Sequence, residues 1–155
     1  MTNKNKYTYL KEIEIKYKHK RTSNKIIGNK VIDASVIVKL FSDLQNASKE
    51  KMIAVNLDSR NKILCFEVIA IGSVHAIYLR PMEAFRTSIL VNASGVIILH
   101  NHPSGNPRPS KDDKELTERF ERICNDLGLK LHDHIIIGLN KFYSFHENDY
   151  FDINK

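Results

Sequence analysis

Val96-Ile97-Ile98-Leu99-His100-Asn101-His102-Pro103-Ser104-Gly105 is the stretch on which the fold turns. Four consecutive apolar residues, three of them β-branched, read as a central strand buried on both faces. The run stops at two imidazoles and a loop that carries Pro103, Pro107 and Pro109. A helix is expected from Ser110 or Lys111 to Leu127, with Leu116, Phe120, Ile123, Cys124 and Leu127 on one apolar face and Gly128 placed to end it. Leu131 to Ile137 is the next strand. Strand, helix and strand make one β-α-β unit, and its crossover should be right-handed.

The flanks extend the same pattern. Lys51–Leu57 and Lys62–Ile71 are apolar and β-branched, and Asp58-Ser59-Arg60-Asn61 between them has turn chemistry, which predicts a hairpin ended by Gly72-Ser73. Pro81 opens a helix at the favoured first-turn position, with Phe85, Ile89 and Leu90 as its apolar face and an end near Asn92. Asp33 caps a shorter helix that carries Val36, Ile37, Leu40, Phe41 and Leu44 and ends before Asn46. At the carboxyl end Gly138-Leu139-Asn140 is a turn, and Lys141–Phe145 is a last strand. Near the amino end Leu10–Lys18 alternates as a half-buried strand, and His19–Lys30 reads as a polar linker with a turn at Gly28-Asn29. The expected fold class is α/β (α+β mixed), a mixed β-sheet with packed helices. Residues 1–30 form a basic strand and linker, and 31–155 the domain body.

At 155 residues the chain has room for one domain with one sizeable core. Its 42% hydrophobic and 27% charged residues exclude collagen-like, mucin-like and wholly disordered classes. No apolar run approaches the roughly 18–20 residues that span a bilayer. The polar, basic start has no signal-peptide core, so a cytoplasmic location with no membrane partner is expected. Cys65 and Cys124 form no C-x-x-C pair and read as reduced, buried thiols. The net charge of +6 is concentrated: residues 1–30 carry nine basic residues against Glu12 and Glu14, and the remainder is close to neutral. A basic arm of this kind can attract phosphate, which makes nucleic-acid contact one reading, or it can be a charged edge strand that resists aggregation.

The chemistry is concentrated after the central strand. Residues two apart in an extended backbone project to one side, so His100 and His102 can present two imidazoles to a single point. Asp113, in the first turn of the following helix, points back toward that strand end. Two histidines and a carboxylate make a three-ligand set with a fourth position open to water, the pattern of a catalytic zinc. Ordinary readings exist for each part: hydrogen-bonded histidines at a strand end, and an S-x-x-D helix cap at Ser110 and Asp113. Glu67 is the only acidic residue between Ile63 and Ile71, and a carboxylate there needs a partner to offset its burial; a nearby zinc would be one. In His132-Asp133-His134, alternation puts the two histidines on one face and Asp133 on the other, and a supporting or packing role is expected for Asp133 and His134.

His100-x-His102 followed by Ser110-x-x-Asp113 resembles the JAMM motif of JAB/MPN-domain metalloproteins, spacing for spacing. The fuller string from His100 to Gly105 and through Pro109-Ser110 is similar to the RadC branch. The resemblance continues at Leu57-Asp58, Glu67, Gly72-Ser73, Pro81 with Glu83, Asn92-Ala93, Asp133-His134 and Tyr143-Ser144-Phe145, and spans roughly residues 33–150. It implies a JAB/MPN-like, cytidine-deaminase-like fold. It also implies a JAMM zinc metalloprotease or related amide hydrolase in which His100, His102 and Asp113 bind zinc, Ser110 helps hold the oxyanion, and Glu67 is the general acid/base. The RadC name also carries a DNA-repair association, so a nucleic-acid-binding module with a structural or vestigial metal site is the alternative. Phe66 stands where many relatives have a second acid, and Met82 where many have arginine. The helix-hairpin-helix region that usually precedes this domain in RadC proteins has no counterpart in residues 1–30. Neither the peptide or isopeptide substrate nor the oligomeric state follows from the resemblance.

Overall fold

The computed structural model describes residues 24–72 and 79–153. The strand expected at Leu10–Lys18 lies outside them. In chain order the elements are α1 (Ala34–Leu40), a 3-10 turn (Ser42–Asn46), β1 (Lys51–Leu57), β2 (Ile63–Ile71), α2 (Pro81–Leu90), β3 (Gly95–Asn101), α3 (Lys111–Leu127), β4 (Lys130–Ile137), β5 (Phe142–Ser144) and α4 (Tyr150–Ile153). The five strands make one mixed sheet in the order β2-β1-β3-β4-β5. β1 runs antiparallel to both β2 and β3, β3 is parallel to β4, and β5 is antiparallel to β4.

β3 lies at the centre and is buried over its whole length, as its apolar run requires. The sheet separates two apolar layers. Ile37, Phe41, Val55, Ile97, Leu99 and Ile135 pack under α1 on one face. Met52, Ala54, Ile98, Phe85, Leu116 and Phe120 pack under α2 and α3 on the other. Phe85 of α2 and Phe120 of α3 meet edge to face with ring centroids 5.1 Å apart, which adds about 0.5–1.5 kcal/mol beyond the area they bury. Gly128 ends α3 in the left-handed region, as expected.

The first helix ends at Leu40, short of the expected Leu44, which lies in the 3-10 turn that follows. Four further expectations need correction. α2 buries Ala84, Phe85 and Ser88, whereas Ile89 and Leu90 are 59% and 43% exposed. The helix is rotated because the Ser88 hydroxyl donates to Asn56 Oδ1 inside the core at 2.5 Å, and Phe85 seats on Phe120. Leu127, in the last turn of α3, is exposed rather than part of its apolar face. The end of the expected linker is not loose. Ile26 and Ile27 pack on the α1-side core, Gly28 N–H donates to Ile63 C=O, and Ile63 N–H donates to Asn29 C=O, which covers the start of β2. The fourth concerns β4. Val96 pairs with Leu131 and Ile97 with Asp133, so His132 is an extra residue in a bulge. His132 and Asp133 both line a cleft of about 720 Å³ on the α1 side together with Ala34 and Ile97, and His134 faces α3. The simple alternation that paired His132 with His134 is therefore broken.

Candidate metal centre

β3 delivers His100 at its carboxyl end, 2% exposed, and hands the chain to a loop that begins with His102. The next residue down, Asn101, turns to the opposite side, accepts a hydrogen bond from Lys51 N–H, and donates to the carbonyls of Ala47 and Lys49. This anchors the strand end. His102 N–H donates to Ile137 C=O at 2.9 Å, which continues the pairing with β4 past the strand. The proline-rich loop is drawn against the turn after β4: Leu139 N–H donates to Gly105 C=O, and a Cβ on Gly138 would come within 2.4 Å of that carbonyl oxygen. Gly138 is thus required by close approach, and it holds the loop over the strand ends.

The loop leads into α3, where Ser110 and Asp113 form a capping box. Asp113 N–H donates to Ser110 Oγ, and Ser110 N–H donates to Asp113 Oδ2 at 2.7 Å. The Ser110 hydroxyl also donates to Asp113 Oδ2 at 2.6 Å. The cap orients the carboxylate toward the histidines. His100 Nε2 lies 3.0 Å from His102 Nε2 and 3.1 Å from Asp113 Oδ1, and His102 Nε2 lies 3.5 Å from Asp113 Oδ2. His100, His102 and Asp113 form a group whose possible ligand atoms all lie within 4.8 Å of one another.

Donors held about 2.0–2.2 Å from one tetrahedral zinc stand about 3.3–3.6 Å apart, so the observed spacing needs only small adjustment to close on an ion. The tautomer of His102 suits it as well. Asn106 C=O lies 2.8 Å from His102 Nδ1 and can only accept, so that nitrogen carries the ring hydrogen and the neutral ring leaves Nε2 bare. Burial pushes the Asp113 carboxyl up, but its close contacts with the His100 and His102 rings outweigh it and hold the group far below the usual carboxylate range. His102 is raised above the usual imidazole value, chiefly by its hydrogen bond to Asp113. A proton and a divalent cation therefore compete for the same spot. Two imidazole nitrogens and a carboxylate are donors that a divalent ion such as zinc accepts, and three protein ligands do not fill a tetrahedral shell.

Glu67 is on β2, on the sheet face of His100. It pairs with Ala54 of β1, which pairs in turn with Ile98 of β3. Its partners come from α2: Arg86 Nη2 donates to Oε1 at 2.6 Å, and the Thr87 hydroxyl donates to Oε2. The bond from Thr87, aided by Arg86, keeps the carboxyl below its usual range despite partial burial. The partners that offset its burial are thus two side chains of α2, where the sequence reading looked to a zinc. Glu67 is not among the converged group. Asp133 faces the opposite side, where it accepts from the Ser144 hydroxyl at 2.6 Å and from His146 N–H at 2.9 Å, and burial raises its carboxyl to about 6. It ties β4 to β5 and does not touch the histidine pair. His134 does: its Nε2 lies 2.9 Å from His100 Nδ1 and its Nδ1 lies 2.6 Å from Thr117 Oγ1. Burial pushes the His134 imidazole well below its usual value, which favours the neutral ring. Thr117, Asn106, Arg86 and Thr87 were not singled out in the sequence. Thr117 had one available signal, since it lies four residues after Asp113 and hence on the same face of α3.

A mixed sheet whose central strand carries one histidine at its carboxyl end, with a second at the start of the following loop and an aspartate in the first turn of the next helix, defines a JAB-like domain with a candidate metal centre. Residues 26–150 match the family described as RadC-like JAB domain, and the chain belongs to that family. It is 42% identical over 117 residues to a UPF0758 protein of Caldanaerobacter subterraneus subsp. tengcongensis, covering 76% of this chain and 50% of that protein. It is 39% identical over 121 residues to a UPF0758 protein of Clostridium perfringens, covering 77% and 53%. A UPF0758 protein of Aquifex aeolicus is 38% identical over 109 residues, covering 70% and 47%. The chain spans about half the length of these curated relatives. No helix among the described residues is long and apolar enough to cross a membrane. The two cysteines are free; Cys124 is buried, as expected, and burial raises its thiol to about 12, whereas Cys65 is only half-buried.

Proposed function

We propose that this domain is a zinc-dependent hydrolase of amide bonds, peptide or isopeptide, with His100, His102 and Asp113 as the metal ligands. The convergence of those three side chains within hydrogen-bond range of one another carries this reading. Zinc bound there supplies Lewis acidity toward a carbonyl oxygen and acidifies water. The protein contributes the rest. Glu67, ionised at neutral pH, takes a proton from the attacking water and delivers it to the leaving amine as the C–O bond forms and the C–N bond breaks. To do so it must exchange its bonds to Arg86 and Thr87 for the reacting water. Ser110, exposed at the N-terminus of α3, redirects its hydroxyl from Asp113 to the carbonyl oxygen as negative charge develops there.

The test is metal analysis paired with turnover on a panel of peptide and isopeptide substrates. One zinc per chain is expected. Glu67→Gln should retain it and lose about 10²- to 10⁴-fold in hydrolysis. Protein that takes up no zinc after a careful apo/holo preparation overturns the reading.

The charge of residues 1–30 supports a second reading, a DNA-repair-associated nucleic-acid-binding module with a structural or vestigial metal site. Deleting residues 1–23 leaves the pairing at Gly28 and Asn29 intact. This reading expects a loss of DNA affinity and a shallower salt dependence, by roughly one unit of slope for each phosphate contact removed. Unchanged affinity, or no binding by the intact chain, removes it.

A further inference from the structure

A ligand histidine must keep its coordinating nitrogen free of hydrogen. That is usually secured by a carboxylate, a main-chain carbonyl or water accepting from the other ring nitrogen. His102 follows the rule through Asn106 C=O. His100 does not. The group facing its Nδ1 is another imidazole, His134 Nε2, at 2.9 Å. An imidazole nitrogen can accept or donate, so this contact alone leaves two states open. In one, His100 carries a hydrogen on Nδ1, so an ion that displaces the proton shared among its Nε2, His102 and Asp113 finds that nitrogen free to bind. In the other, His134 donates from Nε2 and His100 carries its hydrogen on the very atom that must bind the ion.

The choice is made one bond further away. Thr117 Oγ1 lies 2.7 Å from Asp113 C=O and 2.6 Å from His134 Nδ1. The carbonyl can only accept, and the hydroxyl has one hydrogen. Thr117 therefore donates to Asp113 C=O and must receive from His134 Nδ1–H. A neutral His134 with its hydrogen on Nδ1 has only an acceptor left at Nε2, so His100 must donate from Nδ1. Three hydrogen bonds run in one direction, from His100 to His134 to Thr117 to the main chain of Asp113. The path begins on one candidate ligand and ends on the backbone of another. All three side chains are buried, with His100, His134 and Thr117 each 2% exposed or less. Water is therefore poorly placed to substitute for a missing link. The His134 ring stacks on Phe145, with centroids 4.9 Å apart and planes 6° from parallel, which keeps its two nitrogens in line with both partners.

We propose that Thr117 is a positioning residue that sets the tautomer of His100 through His134, and so prepares Nε2 for a divalent cation. This rests on the reading of His100, His102 and Asp113 as zinc ligands. Thr117→Val keeps the volume of the side chain and removes the hydroxyl, which leaves His134 without an enforced direction. Thr117→Ser restores the hydroxyl.

Two measurements on the full chain at fixed neutral pH test the proposal. Ring ¹⁵N shifts of the metal-free protein report where each histidine hydrogen resides. Titration with Zn²⁺ against a competing chelator reports the dissociation constant. The expected result is Nδ1–H at both His100 and His134, a shift of His134 toward Nε2–H in Thr117→Val, and a dissociation constant raised about 10- to 100-fold in that variant. Thr117→Ser should return both readouts to those of the unaltered chain. The proposal is overturned by Nε2–H on His134 in the unaltered chain. It is overturned equally by an unchanged zinc constant in Thr117→Val, or by Thr117→Ser being as weak as Thr117→Val, which would mark a folding defect. If the unaltered chain takes up no zinc while both rings hold Nδ1–H, the hydrolase reading fails and the assignment of the tautomers stands.

Discussion

His100-x-His102 and His132-x-His134 are the same three-residue pattern on neighbouring parallel strands, and the fold treats them differently. The first pair leaves a regular strand end, and both rings turn to one point beside Asp113. The second pair straddles a bulge, since one extra residue of β4, His132, lies between Leu131 and Asp133, the partners of Val96 and Ile97. His134 is sent beneath the first pair, against His100. His132 is sent to the cleft on the other face, where its ring lies over Gly95. A pattern of two histidines is thus no more convergent than the backbone that carries it. One inserted residue decides whether alternation holds.

The comparison can be broken most sharply at the metal. His100→Ala or Asp113→Ala should remove zinc binding, by more than the roughly 100-fold that loss of a supporting hydrogen bond costs, whereas His132→Ala should leave one zinc per chain. Equal losses in a chelator-competition titration would mean that the two pairs are not distinct. A second effect separates the faces by pH. The Asp133 carboxyl is raised in the folded chain from 3.8 to about 6, so the folded state holds an extra proton between those values. The stabilising contribution is complete below pH about 4 and is lost as the pH climbs through about 6, a difference of about 3 kcal/mol. Asp133→Asn should flatten this part of the stability curve in urea melts at pH 4 to 8. An unchanged slope would show that the carboxylate is better offset by Ser144 and His146 than its burial suggests. The smallest effect tests the bulge itself. A Cβ on Gly95 would come within 2.4 Å of the His132 ring, so Gly95→Ala should cost about 1–3 kcal/mol. Adding His132→Ala should recover part of the loss, and additive losses in a double-mutant cycle would count against the contact.

Much of this architecture was legible beforehand. The apolar run at Val96–Leu99 could be satisfied only by a strand covered on both faces, and Gly128 had to follow a helix, because local chemistry dictates both. The S-x-x-D spacing of Ser110 and Asp113 predicted a capping box, and the box formed. The rotation of α2 was not legible, because it depends on Ser88 meeting Asn56, 32 residues earlier in the chain. The partners of Glu67 were hidden for the same reason, since Arg86 and Thr87 reach it only once α2 lies beside β2.

Residue order alone determined the β-α-β unit, the position of two histidines at its strand end and an aspartate in the first turn of its helix, since periodicity and capping act over a few residues. Tertiary structure decided the register at which β4 meets β3, and with it which histidine of the second pair supports the first. It also decided the hydrogen-bonded path from His100 through His134 and Thr117 to the main chain of Asp113. Hydrogen-bond direction is a property of groups brought together from β3, α3 and β4, and no local pattern in any one of them contains it.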